Sequence, residues 1–178
     1  MTPREIIIRN LEFQDPDRIG LAFREGRIND FCSANAGPSP TWTPRRWIEG
    51  NTEYYDDEWG NVWHRIASMG AGGEIFRPAL QDWDQLDDFQ LPDLANPSRF
   101  VQTRATFQQA PDRYHLGGLP GFPFAICRYL RRMEVYFTDL LLERPRIDQL
   151  HERVTTLLES VIERQAEAGA DGIFFCED

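Results

Sequence analysis

Beyond Pro145 the chain carries one apolar stripe, Ile147, Leu150, Val154, Leu157, Leu158, Val161 and Ile162, at the three-and-four spacing of a single helix face reaching Ala168. Gly169 is a natural stop for that helix. Ile173 to Cys176 then form a four-residue apolar run that reads as a buried strand. A long amphipathic helix delivered at once into a short apolar strand is the second half of a βαβ crossover, so this segment imposes a parallel α/β architecture. Glu177 and Asp178 follow the strand directly. Such folds place their chemistry at the carboxyl ends of parallel strands, which makes Glu177 and Asp178 candidate catalytic residues. They would orient a substrate, move a proton or support a metal-bound histidine. On this reading the chain closes at the rim of its own active site.

The other end carries an equally clear signal. Thr2 as N-cap, Pro3 at the first helical position and Glu5 closing a capping box predict a helix from Pro3 to about Glu12. Asp15-Pro16-Asp17 breaks it, and Arg18 to Phe23 reads as a first strand with Arg24 and Arg27 just beyond, both candidate anion binders for a substrate. Further on, Arg113 to Leu116 reads as a strand, and Gly117-Gly118-Leu119-Pro120-Gly121 as a loop in which Gly117 and Gly118 allow a substrate close to the backbone. That spacing fits neither phosphate-binding glycine pattern. Phe122 to Glu143 reads as helix, with Cys127 on its apolar face and therefore a core residue.

All five tryptophans fall between residues 30 and 96, among prolines, glycines and acids. That stretch reads as an irregular, aromatic-rich insertion within a single domain spanning residues 1–178. Inside it, Gly60-Asn61 is placed as a two-residue hairpin connection. The tryptophans either supply the core of a small subdomain or line a substrate mouth. The acids from Asp82 to Asp93 lack the alternating spacing of a calcium loop.

Composition removes several classes. A length of 178 residues with 41% hydrophobic content can bury a real core. A net charge of -10 argues against nonspecific binding to nucleic acid or to an anionic membrane. The sequence has neither a secretory signal nor an apolar run of bilayer-spanning length, so a cytoplasmic protein is expected. Three scattered cysteines fit a reducing compartment, and neither they nor the three histidines have local metal-ligand spacing.

Several segments, in order, resemble the uroporphyrinogen decarboxylase superfamily, which includes the cobalamin-dependent methyltransferases. They are Thr2-Pro3-Arg4-Glu5 through Ile19, Asp57-Glu58-Trp59-Gly60 with Trp63, Arg77-Pro78-Ala79-Leu80 leading to Leu91-Pro92-Asp93, and Glu167-Ala168-Gly169-Ala170-Asp171-Gly172. The resemblance implies the N-terminal half of a (β/α)₈ TIM barrel, a partial barrel with about three of its strands, and a chain inactive alone. In the decarboxylase branch it implies a porphyrinogen substrate held by arginines near the N-terminus. Here Phe23-Arg24-Glu25-Gly26-Arg27-Ile28 keeps two arginines but not that branch's Arg-Gln-Ala-Gly-Arg-Tyr segment. In the methyltransferase branch it implies a corrinoid-protein partner and a zinc-activated thiol, with the zinc ligands in the half this chain lacks and no cofactor bound by this chain alone. The Asp-Glu-Trp-Gly and Glu-Ala-Gly-Ala-Asp features favour methyl transfer. A third reading is a non-catalytic subunit, a homo-oligomer or half-barrel completed by a second chain, because a half barrel leaves strand edges unpaired.

Overall fold

The computed structural model describes residues 1–23, 26–69 and 72–175. The first helix, α1 (Pro3–Leu11), starts as its capping box dictates: the Glu5 amide donates to Thr2 Oγ1 at 3.2 Å and the Thr2 amide to Glu5 Oε2 at 2.8 Å. It buries Ile6 and Ile7 and packs on the strand that begins at Tyr114.

The strand expected at Arg18 to Phe23 does not form. Leu21 to Phe23 pair locally with Ile28 to Asp30 across a turn containing Gly26 at φ +81°. Ile19 stays 70% exposed, which no interior strand residue would be. The first parallel strand is β1 (Phe31–Ala34) instead, so the expected insertion at residue 30 begins only after it.

Nor is that insertion irregular. It folds into an antiparallel sheet of β2 (Arg46–Glu49), β3 (Thr52–Asp56), β4 (Val62–Ile66) and β5 (Glu74–Arg77), ordered as in the chain. The β3–β4 connection is five residues, with Asp56 opposite Val62, not the two-residue turn expected at Gly60-Asn61. Asp57 explains the longer loop. Its Oδ1 accepts from the amides of Trp59 and Asn61, and its Oδ2 from Asn61 Nδ2 and Trp63 Nε1, at 2.6–3.0 Å. One carboxylate thus organises the whole connection, with Gly60 at φ +89° supplying the left-handed step.

Two short 3-10 turns, Trp83–Gln85 and Pro97–Phe100, lead into α2 (Val101–Gln108) and then β6 (Tyr114–Gly118). The single helix expected over 122–143 is two, α3 (Pro123–Arg131) and α4 (Met133–Leu142), broken at Arg132 with φ +68° and ψ 142°. Next come α5 (Arg144–Ala168), closed by Gly169 in the left-handed region, and β7 (Gly172–Phe174). β6 is flanked by β1 and β7, and both pairs are parallel. The fold is therefore mixed α/β, a three-stranded parallel sheet and a four-stranded antiparallel one, with no closed barrel among the described residues.

The helical stripe of α5 makes the core. Leu150 and Val154 are fully buried with Leu130 and Cys127 of α3 and with Leu80 and Leu86 from the segment after β5. Each such leucine contributes about 1.5–3 kcal/mol relative to exposure. Among the described residues no helix is long and apolar enough to cross a membrane.

Candidate functional site

The loops that follow β1 and β6 run toward the antiparallel sheet and enclose a cavity of about 450 Å³ with it. Pro38 and Ser39 come from the first loop, Pro120 and Gly121 from the second, Ile126 and Tyr129 from α3. The opposite wall is aromatic: Trp42, Tyr55, Trp59 and Trp63. Trp63 lies parallel to Tyr55 at 6.2 Å between centroids and edge-on to Tyr129 at 4.8 Å, so three rings brace one another.

Charge enters this wall through three side chains. Asp57 is saturated by the four donors above. Arg99, 7% exposed, makes a two-pronged pair with Glu58, Nη1 to Oε2 at 3.0 Å and Nη2 to Oε1 at 2.8 Å. Its remaining donors reach the carbonyls of Gly37 (3.0 Å) and Asp93 (3.3 Å). The guanidinium therefore ties the loop after β1 to the β3–β4 connection. Asn61, also buried, accepts the Ala79 amide at 2.9 Å and fixes the chain leaving β5. The lining presents fixed apolar rings, two tyrosines and no unpaired cation.

The residues singled out from the sequence distribute unevenly. Arg24, Glu177 and Asp178 lie outside the described residues. Arg27 is exposed on the turn between Ala22 and Asn29 and does not line the cavity. Gly117 is buried in β6, where a Cβ would stand 2.8 Å from Gln165 Oε1 of α5. Gly118 borders a smaller cavity of about 270 Å³ that shares Arg99 and Pro120 with the main one. A Cβ at Gly118 would collide with Asn35 Oδ1, and its carbonyl accepts Gln165 Nε2 at 3.0 Å. Of the expected substrate contacts among the described residues, then, only Gly118 comes near the site.

The sequence singles out neither Arg99, a lone arginine in a 3-10 turn with no pattern around it, nor Tyr129, one of several rings within the expected helix over 122–143. Trp42, Trp59 and Trp63 were legible as part of the tryptophan-rich stretch that either packs a subdomain or lines a substrate mouth, whereas Asp57 and Glu58 had no place in a site on the sequence alone.

The metal expected of that family finds no cage here. Among the described residues no three His, Cys, Asp or Glu side chains converge to hold an ion. Both ring nitrogens of His115 face carbonyls, Gly169 at 2.8 Å and Ala110 at 2.9 Å. His151 is bonded to the Tyr136 hydroxyl at 2.8 Å, and burial holds its pKa below the usual imidazole value. Burial pushes the Cys127 thiol up to about 12, so it stays protonated in the core. The described residues do not fit zinc. Comparison with models of known protein families, with curated proteins and with solved structures returned no match.

Proposed function

We propose that this chain is the N-terminal part of a (β/α)₈-barrel enzyme of the uroporphyrinogen decarboxylase superfamily, from the branch that transfers methyl groups with a corrinoid partner. The observation that supports it most is the coincidence of two facts. Three parallel strands stand side by side in chain order, β1, β6 and β7. The Trp-rich cavity is built on the loops at the carboxyl ends of two of them, where barrel enzymes keep their sites.

The choice of branch rests on charge and size. A porphyrinogen with its many carboxylates needs several free cations, whereas the lining holds one, Arg99, already paired with Glu58. A volume of about 450 Å³ suits a small methyl-bearing substrate, with a corrinoid docked over the mouth beside Trp42 and not inside the cavity. In this reading Trp42, Trp59 and Trp63 exclude water from the reacting group, Asp57 and Arg99 fix the walls, and the Tyr55 and Tyr129 hydroxyls orient the substrate.

Equilibrium dialysis of the 178-residue chain against methylcob(III)alamin and against uroporphyrinogen under reductant tests it. Saturable corrinoid binding weakened by Trp42→Ala, with no porphyrinogen binding, is the expected result. Porphyrinogen binding sensitive to Trp42→Ala would reverse the branch, and retention of neither ligand would remove the proposal.

One observation favours completion by a second chain. Among the described residues β1 and β7 each have a single neighbour in the sheet, and Phe174 beside the open edge is 57% exposed. An open parallel edge with apolar flanks invites pairing. Sedimentation velocity that finds only monomer at 100 μM counts against this.

A further inference from the structure

A separate cavity of about 300 Å³ lies where β5 meets the corner between α3 and α4, walled by Arg128, Arg132, Trp63 and Tyr129 together with Glu74 and Glu134. Its charges are not matched. Arg132 Nε faces Glu134 at 3.4 Å. Arg128, by contrast, has no carboxylate within ion-pair distance among the described residues. Its guanidinium makes one hydrogen bond, Nη2 to the Tyr129 hydroxyl at 3.1 Å, and its Nε is buried without an acceptor.

A partly buried cation without a counter-ion is costly, yet this one is held in place. The rings of Phe124 and Tyr129 lie 5.6 and 5.0 Å from its central carbon. The corner beside it is strained: Arg132 keeps φ +68° with ψ 142°, a backbone state that costs about 1–3 kcal/mol in a residue with a Cβ and clusters at ligand clamps. Trp63 and Tyr129 belong to the walls of both cavities.

We propose that this second cavity is an oxyanion subsite in which Arg128 takes the carboxylate of a small substrate whose apolar ring lies against Trp63 and Tyr129. The assignment rests on the reading of the aromatic cavity as the substrate site, and it adds a substrate class, a monocarboxylate with a compact apolar body. A guanidinium offers a planar fork that a carboxylate matches with two parallel bonds. Glu74 and Glu134 on the same wall repel a doubly charged phosphate more than a carboxylate. Glu74, exposed at the start of β5 and in no ion pair among the described residues, is the internal competitor for the same fork.

Isothermal titration of the 178-residue chain with benzoate, benzyl alcohol and inorganic phosphate is the test. Benzoate binds more tightly than the uncharged alcohol or phosphate; Arg128→Gln weakens it by about 10-fold or more. Arg128→Lys weakens it less, Glu74→Gln strengthens it, and Arg27→Gln leaves it unchanged. Equal binding of benzoate and benzyl alcohol, or benzoate binding indifferent to Arg128→Gln, overturns the subsite; if that binding still falls with Trp42→Ala, the aromatic cavity stands as the site. Arg128-dependent binding indifferent to Trp42→Ala keeps the subsite and removes the aromatic cavity from substrate binding. Phosphate binding tighter than benzoate overturns the carboxylate assignment.

Discussion

Replacing Glu58 by alanine removes both oxygens that face the Nη groups of Arg99 and leaves a guanidinium that is 7% exposed without its counter-ion. Breaking a buried pair on one side costs about 3–5 kcal/mol, because the surviving charge is stranded. Two features pull the value to the lower end. The Gly37 and Asp93 carbonyls still accept from Arg99 at 3.0 and 3.3 Å, and the Glu58 side chain, 16% exposed, leaves a path for water. The expectation is a loss of about 3 kcal/mol, a fall in Tm of roughly 6–12 °C for a domain of this size. Glu58→Leu combined with Arg99→Met removes both charges at once and returns most of the loss, since apolar replacements of a buried pair are often near neutral. Urea unfolding followed by circular dichroism reads this directly, with an unchanged m-value confirming that the native state is being compared with the same unfolded chain. A Glu58→Ala protein within 0.5 kcal/mol of the parent, or a double variant as unstable as the sum of its singles, would refute the argument that this pair holds the cavity wall.

Three further expectations follow from separate parts of the molecule. Gly117→Ala pushes a methyl against the fully buried Gln165 and costs about 1–3 kcal/mol; Gly118→Ala meets the free end of the Asn35 side chain and costs less, so chemical denaturation ranks the two, and the reverse order contradicts the packing. Arg132→Gly relieves the left-handed backbone between α3 and α4 and gains about 1 kcal/mol net of glycine's entropy in the unfolded chain, visible as a higher Tm; no gain means the corner is unstrained. Asp30 is held below its ordinary carboxyl value by the Arg18 hydrogen bond, with the Leu21 amide adding to it. Its stabilisation is therefore complete above the unfolded value of 3.8 and is lost as pH falls through the lower folded value. Asp30→Asn should flatten the acid limb of a stability-versus-pH curve below pH 4, and an unchanged limb would show that Asp30 does not carry it.

Local chemistry explains which parts of the fold were legible from the sequence. The helices α1 and α5 could be bounded to within a residue or two because their ends are written in side chains, the Thr2–Glu5 box and Gly169. The first parallel strand was misplaced because Arg18 to Phe23 has the apolar look of a strand, while Phe31-Cys32-Ser33-Ala34 is only four residues long; only the partner Tyr114 to Gly117, some eighty residues away, decides between them. The break at Arg132 has neither glycine nor proline to announce it, and the apolar spacing runs straight across. The cavity depends on the same kind of distant pairing. Its aromatic wall was visible as a concentration of tryptophans, but Arg99 acquires meaning only when Glu58 is brought beside it.

Asp171 accepts from Arg4, Nη2 to Oδ1 at 2.6 Å, and from the His115 amide at 3.0 Å, joining the first helix to the last strand pair. Arg4 is separated from that partner by 167 residues. During synthesis at about 5–20 residues per second, α1 waits roughly 10–30 s for the carboxylate that clamps its guanidinium. Until then contacts nearer in the chain can hold it, such as Asn10 Nδ2 to the Arg18 carbonyl at 2.9 Å and, later, the Arg4 amide to the Asp112 carbonyl at 2.8 Å. The helix with the strongest start signal in the sequence can thus coil early, while the ion pair that ties it to the last strand pair forms only after Asp171 has been made.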